Sequence, residues 1–455
     1  MKLQTLRSCT LTGLSMCVAR GIAVLGVAVF VTNTASTAWG AGVVGTGTAA
    51  SCTDADLNAA LAGGGLVTFN CGPDPVTIDI SKGTGTKTIS ADTTIDGGGL
   101  ITISGGNAVK VFSITCGGAI SDCGVTVTVE NLTIANGHCP GAPGGGGIYN
   151  TGRSLIVTNS TFTGNSCPVG GAIANFNGSG SLTVTNSTFA DNVGIVGVDS
   201  IGAGIYNDAG VVTVANSTFT GNGSSVAPGQ GGGIYNDTGS LTVSNSTFTG
   251  NSASMGGGIF CAYGSQAVLR NTIVANGPSG CAVNGLGNTD GGHNLDEGTS
   301  CGFSTTNGSV SNTDAQLDPA GLENNGGPTQ TVALCTAVGV PAGCTAKSPA
   351  IDAGDQAVCA AAPVNGLDQR GFVRHTQCSI GAYEAGAVAP PPMCAGDCNQ
   401  DGKVTVDGII TLAGIALGNA NFSACPGLVA QQVSTVTITQ IIQAVHNALT
   451  ACPGA

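Results

Sequence analysis

The sharpest chemistry offered by this 455-residue chain lies in two aspartates, Asp208 and Asp237, each closing an Ile-Tyr-Asn-Asp run. Stacked on neighbouring strands, their carboxylates would lie about 5 Å apart, the separation of a retaining glycosidase pair. The plainer reading, which the sequence favours, is two turn aspartates placed after an asparagine. A second set of donors sits near the C-terminus. Asp397, Asn399 and Asp401 put hard oxygens at positions 1, 3 and 5 of a loop with Gly402 at its sharp turn. Lys403 offers a carbonyl and Thr405 stands at position 9, so the loop is a candidate weak site for Ca2+. Position 12, normally a bidentate carboxylate, is Gly408, and Asp407 falls one place early. No other cofactor is expected. His138, His293, His375 and His446 are too scattered for a metal cluster or a triad.

Composition narrows the partners. The chain carries a formal charge of −13, and only 8% of its residues are charged. Lys2, Arg7 and Arg20 precede an apolar run, Gly21 to Val31, and Ala38-Trp39-Gly40 offers small residues before a cut near Ala41. Residues 1–40 therefore read as a secretory signal, and the apolar run is too short to span a bilayer. Its loss leaves 9 basic against 25 acidic residues, a net charge of −16. That balance disfavours nucleic acid and anionic lipid as partners. No later segment has the length of a membrane span.

Seventeen of the 19 cysteines follow the signal, and many cysteines in an exported chain point to disulfides. Cys52/Cys71, Cys116/Cys123, Cys335/Cys344 and Cys359/Cys378 are plausible short loops, and the odd total leaves one thiol over or an intermolecular bridge.

The elements that must position these residues repeat. Asn131, Asn159, Asn186, Asn216, Asn245 and Asn271 open units spaced 28, 27, 30, 29 and 26 residues apart. Each unit carries Leu/Val-x-Val-x-Asn-x-x-Phe or a close variant, as in Leu182, Val184, Asn186 and Phe189. Period-two alternation puts the apolar residues on one face of a short strand. A bend at Asn, which tolerates the left-handed conformation, leads to a second strand whose Phe points inward. Gly-Gly-x-Ile runs or a variant, such as 145–148 and 231–234, precede the strands. A period in the high twenties built this way predicts one coil of a parallel β-helix. Asn159, Asn186, Asn216 and Asn245 also open Asn-Ser-Thr glycosylation acceptor triplets, and the corner role is the expected one. Thr53 and Asp56 form a capping-box pattern for a short helix over 53–62 that closes the open end.

The Gly-Gly-x-Ile and Phe-x-x-Asn pairs (Phe162/Asn165, Phe189/Asn192, Phe219/Asn222, Phe248/Asn251) resemble the repeats of polymorphic outer-membrane proteins. Thr94-Ile95-Asp96-Gly97-Gly98-Gly99 resembles the first coils of exported right-handed β-helix proteins of the pectin lyase-like kind. Further on, Gly292-His293-Asn294-Leu295, Asn325-Gly326-Gly327-Pro328-Thr329-Gln330-Thr331, Ser348-Pro349-Ala350-Ile351-Asp352-Ala353-Gly354-Asp355, Asp368-Gln369-Arg370-Gly371 and Ile380-Gly381-Ala382-Tyr383-Glu384 resemble the choice-of-anchor Q domain. That resemblance implies surface display without catalysis. Segments 404–417 and 436–449 repeat at an offset of 32 and, with the calcium-type loop, resemble a dockerin. In its second unit Val429, Gln431 and Val433 replace the acidic positions, so that loop is expected to be dead.

The fold expected is mainly β: a right-handed parallel β-helix with a short N-terminal capping helix and a small α-helical dockerin-like module. The divisions are a signal at 1–40, the β-helix at 41–285, a choice-of-anchor Q-like region at 286–384, a Pro-rich linker at 385–393 and the tandem module at 394–455. Pectin-degrading β-helices hold anionic sugar with Lys or Arg, yet only Arg153 and Arg270 fall between residues 111 and 346. Asn288-Thr289-Asp290 with Gly292-His293 resembles fragments of a polygalacturonase site, but too compactly, and reads as a turn. The sequence thus favours a non-catalytic protein, secreted or displayed at a bacterial cell surface or outer membrane, acting as adhesin or structural stalk. Its partner would be a protein or a neutral glycan. The alternative is a polysaccharide hydrolase or lyase on the same scaffold.

Overall fold

The computed structural model describes residues 42–115, 124–140, 144–176, 180–195, 200–224, 229–262, 264–283, 288–389, 394–399, 403–417, 424–425, 436, 438–450 and 452. The signal segment, the Cys116/Cys123 pair, residues 390–393 of the linker, Asp401 and the second dockerin-like loop lie outside them.

The chain winds into a right-handed parallel β-helix of about 8 turns. Equivalent residues stack in register: Leu182 pairs with Leu155 and Val212, and Leu241 follows Val212. The repeat asparagines make the corners, with φ between 45° and 51° at Asn131, Asn159, Asn186, Asn216, Asn245 and Asn271. Beyond each corner the phenylalanine turns inward. Phe162, Phe189, Phe219 and Phe248 are fully buried, with successive ring centroids 4.8, 4.6 and 4.7 Å apart. Ile148, Ile173, Ile205, Ile234 and Ile259 close the core from the other sheet.

Two ladders of amides run through this interior, and they explain why asparagine recurs. Asn165, Asn192, Asn222, Asn251 and Asn276 each donate to, or accept from, the next along the column at 2.8–3.1 Å. A second column joins Asn150, Asn175, Asn207 and Asn236 at 2.7–2.9 Å. Buried amides are tolerated because each coil supplies the partner that the next one needs.

Helix α1 (Asp54–Leu61) caps the first coil, with Thr53 accepting from the Asp56 amide and Leu57 and Leu61 buried. Lys87, fully buried on its strand, holds this cap by an ion pair to Asp54 and a bond to the Thr84 hydroxyl. Burial pushes the Asp54 carboxyl up, but the Lys87 and Thr84 bonds outweigh it and hold the group below the usual carboxylate range. A depressed folded pKa gives stability that is present above the unfolded value and lost as pH falls through the folded one. Lys87→Met is expected to cost about 2 kcal/mol at neutral pH, since Asp54 keeps its Thr84 donors. In thermal melts the gap between variant and wild type should shrink at acid pH, where Asp54 is protonated; a gap independent of pH would refute the ion-pair account.

Stacking runs past residue 285, because Asn288–Asp290 pairs with Ala267–Leu269 and Leu295–Asp296 pairs with Ile273–Val274. The chain then turns back as a strap. It contains the antiparallel hairpin Leu317–Glu323/Thr331–Leu334 and a short helix, α2 (Gln356–Ala360). The strap lies on successive corners: Thr329 donates to Asn186 O, Asn216 to Leu367 O, and Asn271 to Asp355 O, all at 3.0 Å. Asn216 and Asn245 are thereby buried, so neither can carry a glycan in the folded chain.

In the C-terminal module, α3 (Val406–Ala416) and α4 (Ile438–Thr450) share a small core of Ala395, Leu412, Ile415 and Ala444. Cys394–Cys452 and Cys398–Cys425 staple it. Among the described residues five further disulfides form: Cys52–Cys71, Cys139–Cys167, Cys281–Cys301, Cys335–Cys344 and Cys359–Cys378. Cys261 keeps its thiol inside the solenoid, where burial pushes it up to about 11 despite bonds to Ser265 and Asn236. No helix among the described residues is long and apolar enough to cross a membrane.

Candidate functional site

Asp208 and Asp237 come together. Their strands, Ile205–Asp208 and Ile234–Asp237, pair in parallel with Asp208 opposite Asp237. Alternation buries Ile and Asn of each run and turns Tyr and Asp to the outer face, so the two aspartate backbones sit one strand spacing apart, about 4.8 Å. The Tyr206 hydroxyl donates to Asp237 Oδ2 at a long 3.5 Å. Burial raises the Asp208 carboxyl, and the charge of Asp237 raises it further. Burial likewise raises the Tyr206 phenol, with the two aspartates adding to the shift. Asp208 therefore keeps its proton longer than an ordinary carboxyl does. Neither aspartate makes an ion pair among the described residues.

The surroundings limit what the pair can do. Tyr149, Phe176, Tyr206, Tyr235 and Phe260 form an outer aromatic ladder with centroids 4.9–5.7 Å apart. The rings from Tyr206 to Phe260 stack on one another, so their faces are spent on their neighbours instead of being open to a sugar ring. Lys110 lies over the Tyr149 ring, 4.8 Å from its centroid, at the far end of the ladder.

The Asn288-Thr289-Asp290 segment is structural around its aspartate. Asp290 accepts from Gly292 N, Asn294 Nδ2, Ser304 N and Ser309 Oγ at 2.7–3.0 Å. Burial pushes this carboxyl up, and those four donors more than reverse the effect. His293 Nδ1 is bonded to Ala353 O at 2.8 Å, away from any carboxylate. Three of the four donors sit on Oδ1 and one on Oδ2, which fixes this carboxylate as a structural hub.

Of the calcium-type loop, Asp397, Asn399, Lys403 and Thr405 lie among the described residues, and Asp401 and Gly402 lie outside them. The Thr405 hydroxyl accepts from Gly408 N as the N-cap of α3. Gly408 brings no carboxylate, and a Cβ there would run into the Gly396 carbonyl oxygen, so the glycine is demanded by packing.

A dense polar cluster lies where the strap grips the solenoid, and sequence reasoning assigned it no role beyond a landmark. Arg374, fully buried, donates to Glu384 Oε2, Asn216 Oδ1, Gly381 O, Ser379 O and Leu367 O at 2.8–3.2 Å. Arg370 pairs with Asp368 at 2.6 Å and packs its guanidinium over Phe372 and Tyr383. The buried Gln369 bridges Thr218 on the solenoid and Thr329 on the strap. Each charge is matched and bonded, which marks a clamp. Comparison with protein-family models, curated proteins and solved structures gives no match for this chain.

Proposed function

We propose that this chain is an exported, non-catalytic β-helix protein that works outside the cell as an adhesin or stalk. What carries the reading is where the repeated polar side chains go. The asparagines of every coil are spent on interior ladders and corners, and the aromatic rings beside the acid pair largely stack on one another. Seven disulfides among the described residues fit an oxidising, extracellular setting. The resemblances to polymorphic outer-membrane repeats, to a choice-of-anchor Q region at 286–384 and to a dockerin at 394–455 support surface attachment through the C-terminal part. A protein or a neutral glycan is the fitting partner for so acidic a surface.

A second reading, a carbohydrate-active enzyme, draws on one observation: the raised Asp208 carboxyl in register with Asp237. A reducing-sugar screen of the purified chain over neutral polysaccharides separates the two. No release above a heat-treated control is expected. Release that Asp208→Asn abolishes, with the melting temperature unchanged, would replace the stalk reading with the enzyme.

A further inference from the structure

Asp352, His375 and Glu384 come from three separate segments of the strap, yet one donor atom of each lies within 4.8 Å of the others. The geometry points to a site for a divalent transition-metal ion of the zinc type, held by these three side chains. The distance between the first two ligands carries the argument. His375 Nδ1 stands 3.5 Å from Glu384 Oε1. That is long for a charge-assisted hydrogen bond, which closes to about 2.7–2.9 Å. It matches the edge of a zinc tetrahedron, since ligand bonds of about 2.0–2.1 Å at the tetrahedral angle put donors about 3.4 Å apart.

The site is also built from behind. Glu384 is fully buried, and its carboxylate is oriented by Ser379 N at 2.8 Å, Ser379 Oγ at 3.0 Å and Arg374 Nη1 at 3.2 Å. Arg374 and Ser379 N take Oε2, which aims Oε1 at the imidazole. Orientation of a ligating carboxylate by such outer partners is a recurring property of metal sites. Asp352 is half exposed, so a change of surface rotamer can bring its carboxylate to the third corner. Its present neighbour is Lys347, 3.8 Å away and exposed, a loose pair that a divalent ion would displace. One nitrogen and two carboxylate oxygens, with water completing the shell, suit zinc or a neighbouring first-row ion better than calcium. The ion would tie residues 352, 375 and 384 together across the outside of the clamp.

The test uses the full chain after chelator treatment, titrated with zinc chloride in a calorimeter and melted with and without the metal. One zinc per chain and a raised melting temperature are expected. His375→Ala and Asp352→Asn should each weaken that binding at least tenfold and remove the thermal shift. Both side chains are solvent-exposed, so the metal-free melting temperature should match wild type and report that each variant is folded. Wild type that takes up no zinc, or zinc uptake equal in wild type and both folded variants, would overturn the assignment.

Discussion

Arg374→Met is expected to lower the unfolding free energy by about 3–5 kcal/mol, the cost of leaving one member of a buried ion pair without its partner. Glu384 would keep its Ser379 donors but lose its cation, while the Gly381 carbonyl and the Asn216 amide oxygen would lose a donor. Methionine fills much of the arginine volume, so a cavity contributes little. The loss should show as a lower urea midpoint and as new proteolytic cleavage within 355–384, because the clamp holds that segment to the solenoid. Arg374→Met with Glu384→Leu should recover only part of the stability. The buried charge is gone in the double variant, but the acceptors that faced Arg374 stay unmatched. A single variant with a wild-type midpoint would show that the clamp contributes nothing.

The second large effect belongs to the interior amides. Asn222→Leu removes the acceptor of both the Asn192 backbone amide and its side chain, and the donor to Phe189 O. Asn192 N and Phe189 O lose these partners, each at about 1–3 kcal/mol, and the Asn192 side chain keeps only its bond to Phe162 O. A loss of at least about 3 kcal/mol is expected in equilibrium denaturation. Asn159, at a part-exposed corner, is the contrast: Asn159→Gly keeps the left-handed turn and should cost well under half as much. Equal losses at both positions would mean that the ladder adds nothing beyond the corner conformation.

Much of this architecture was legible because a solenoid writes its geometry as a period. The corner at Asn186, the inward Phe189 and the opposition of Asp208 to Asp237 all follow from superimposing one unit on the next. Cys139–Cys167 was legible too, since 28 residues separate them, the spacing of Asn131 and Asn159, although it was not read. The inward direction of Asn165, Asn192 and Asn222 was not read either. Asparagine at such offsets looks equally like a surface turn, and only the presence of an identical amide one coil away makes burial affordable. The strap was opaque for a different reason. Asn216 meets Arg374 across 158 residues and Thr188 meets Gln369 across 181, with no periodicity linking them. Its motifs were visible as words, but their grammar is three-dimensional. The register of Asp208 with Asp237 follows from the period, while the packing of the rings beside them is recorded by no pattern of letters.

The strap has a mechanical consequence. Coils that touch only their neighbours respond to tension as links in series, and the weakest peels away first. Here the corners at Asn186, Asn216, Asn245 and Asn271 are laced to one segment, through Thr329, Leu367, Cys359 and Asp355 respectively. Force along the axis must then strain those bonds together, in parallel, before any single coil can leave. A rod fastened in this way holds its length under load and gives way in one step.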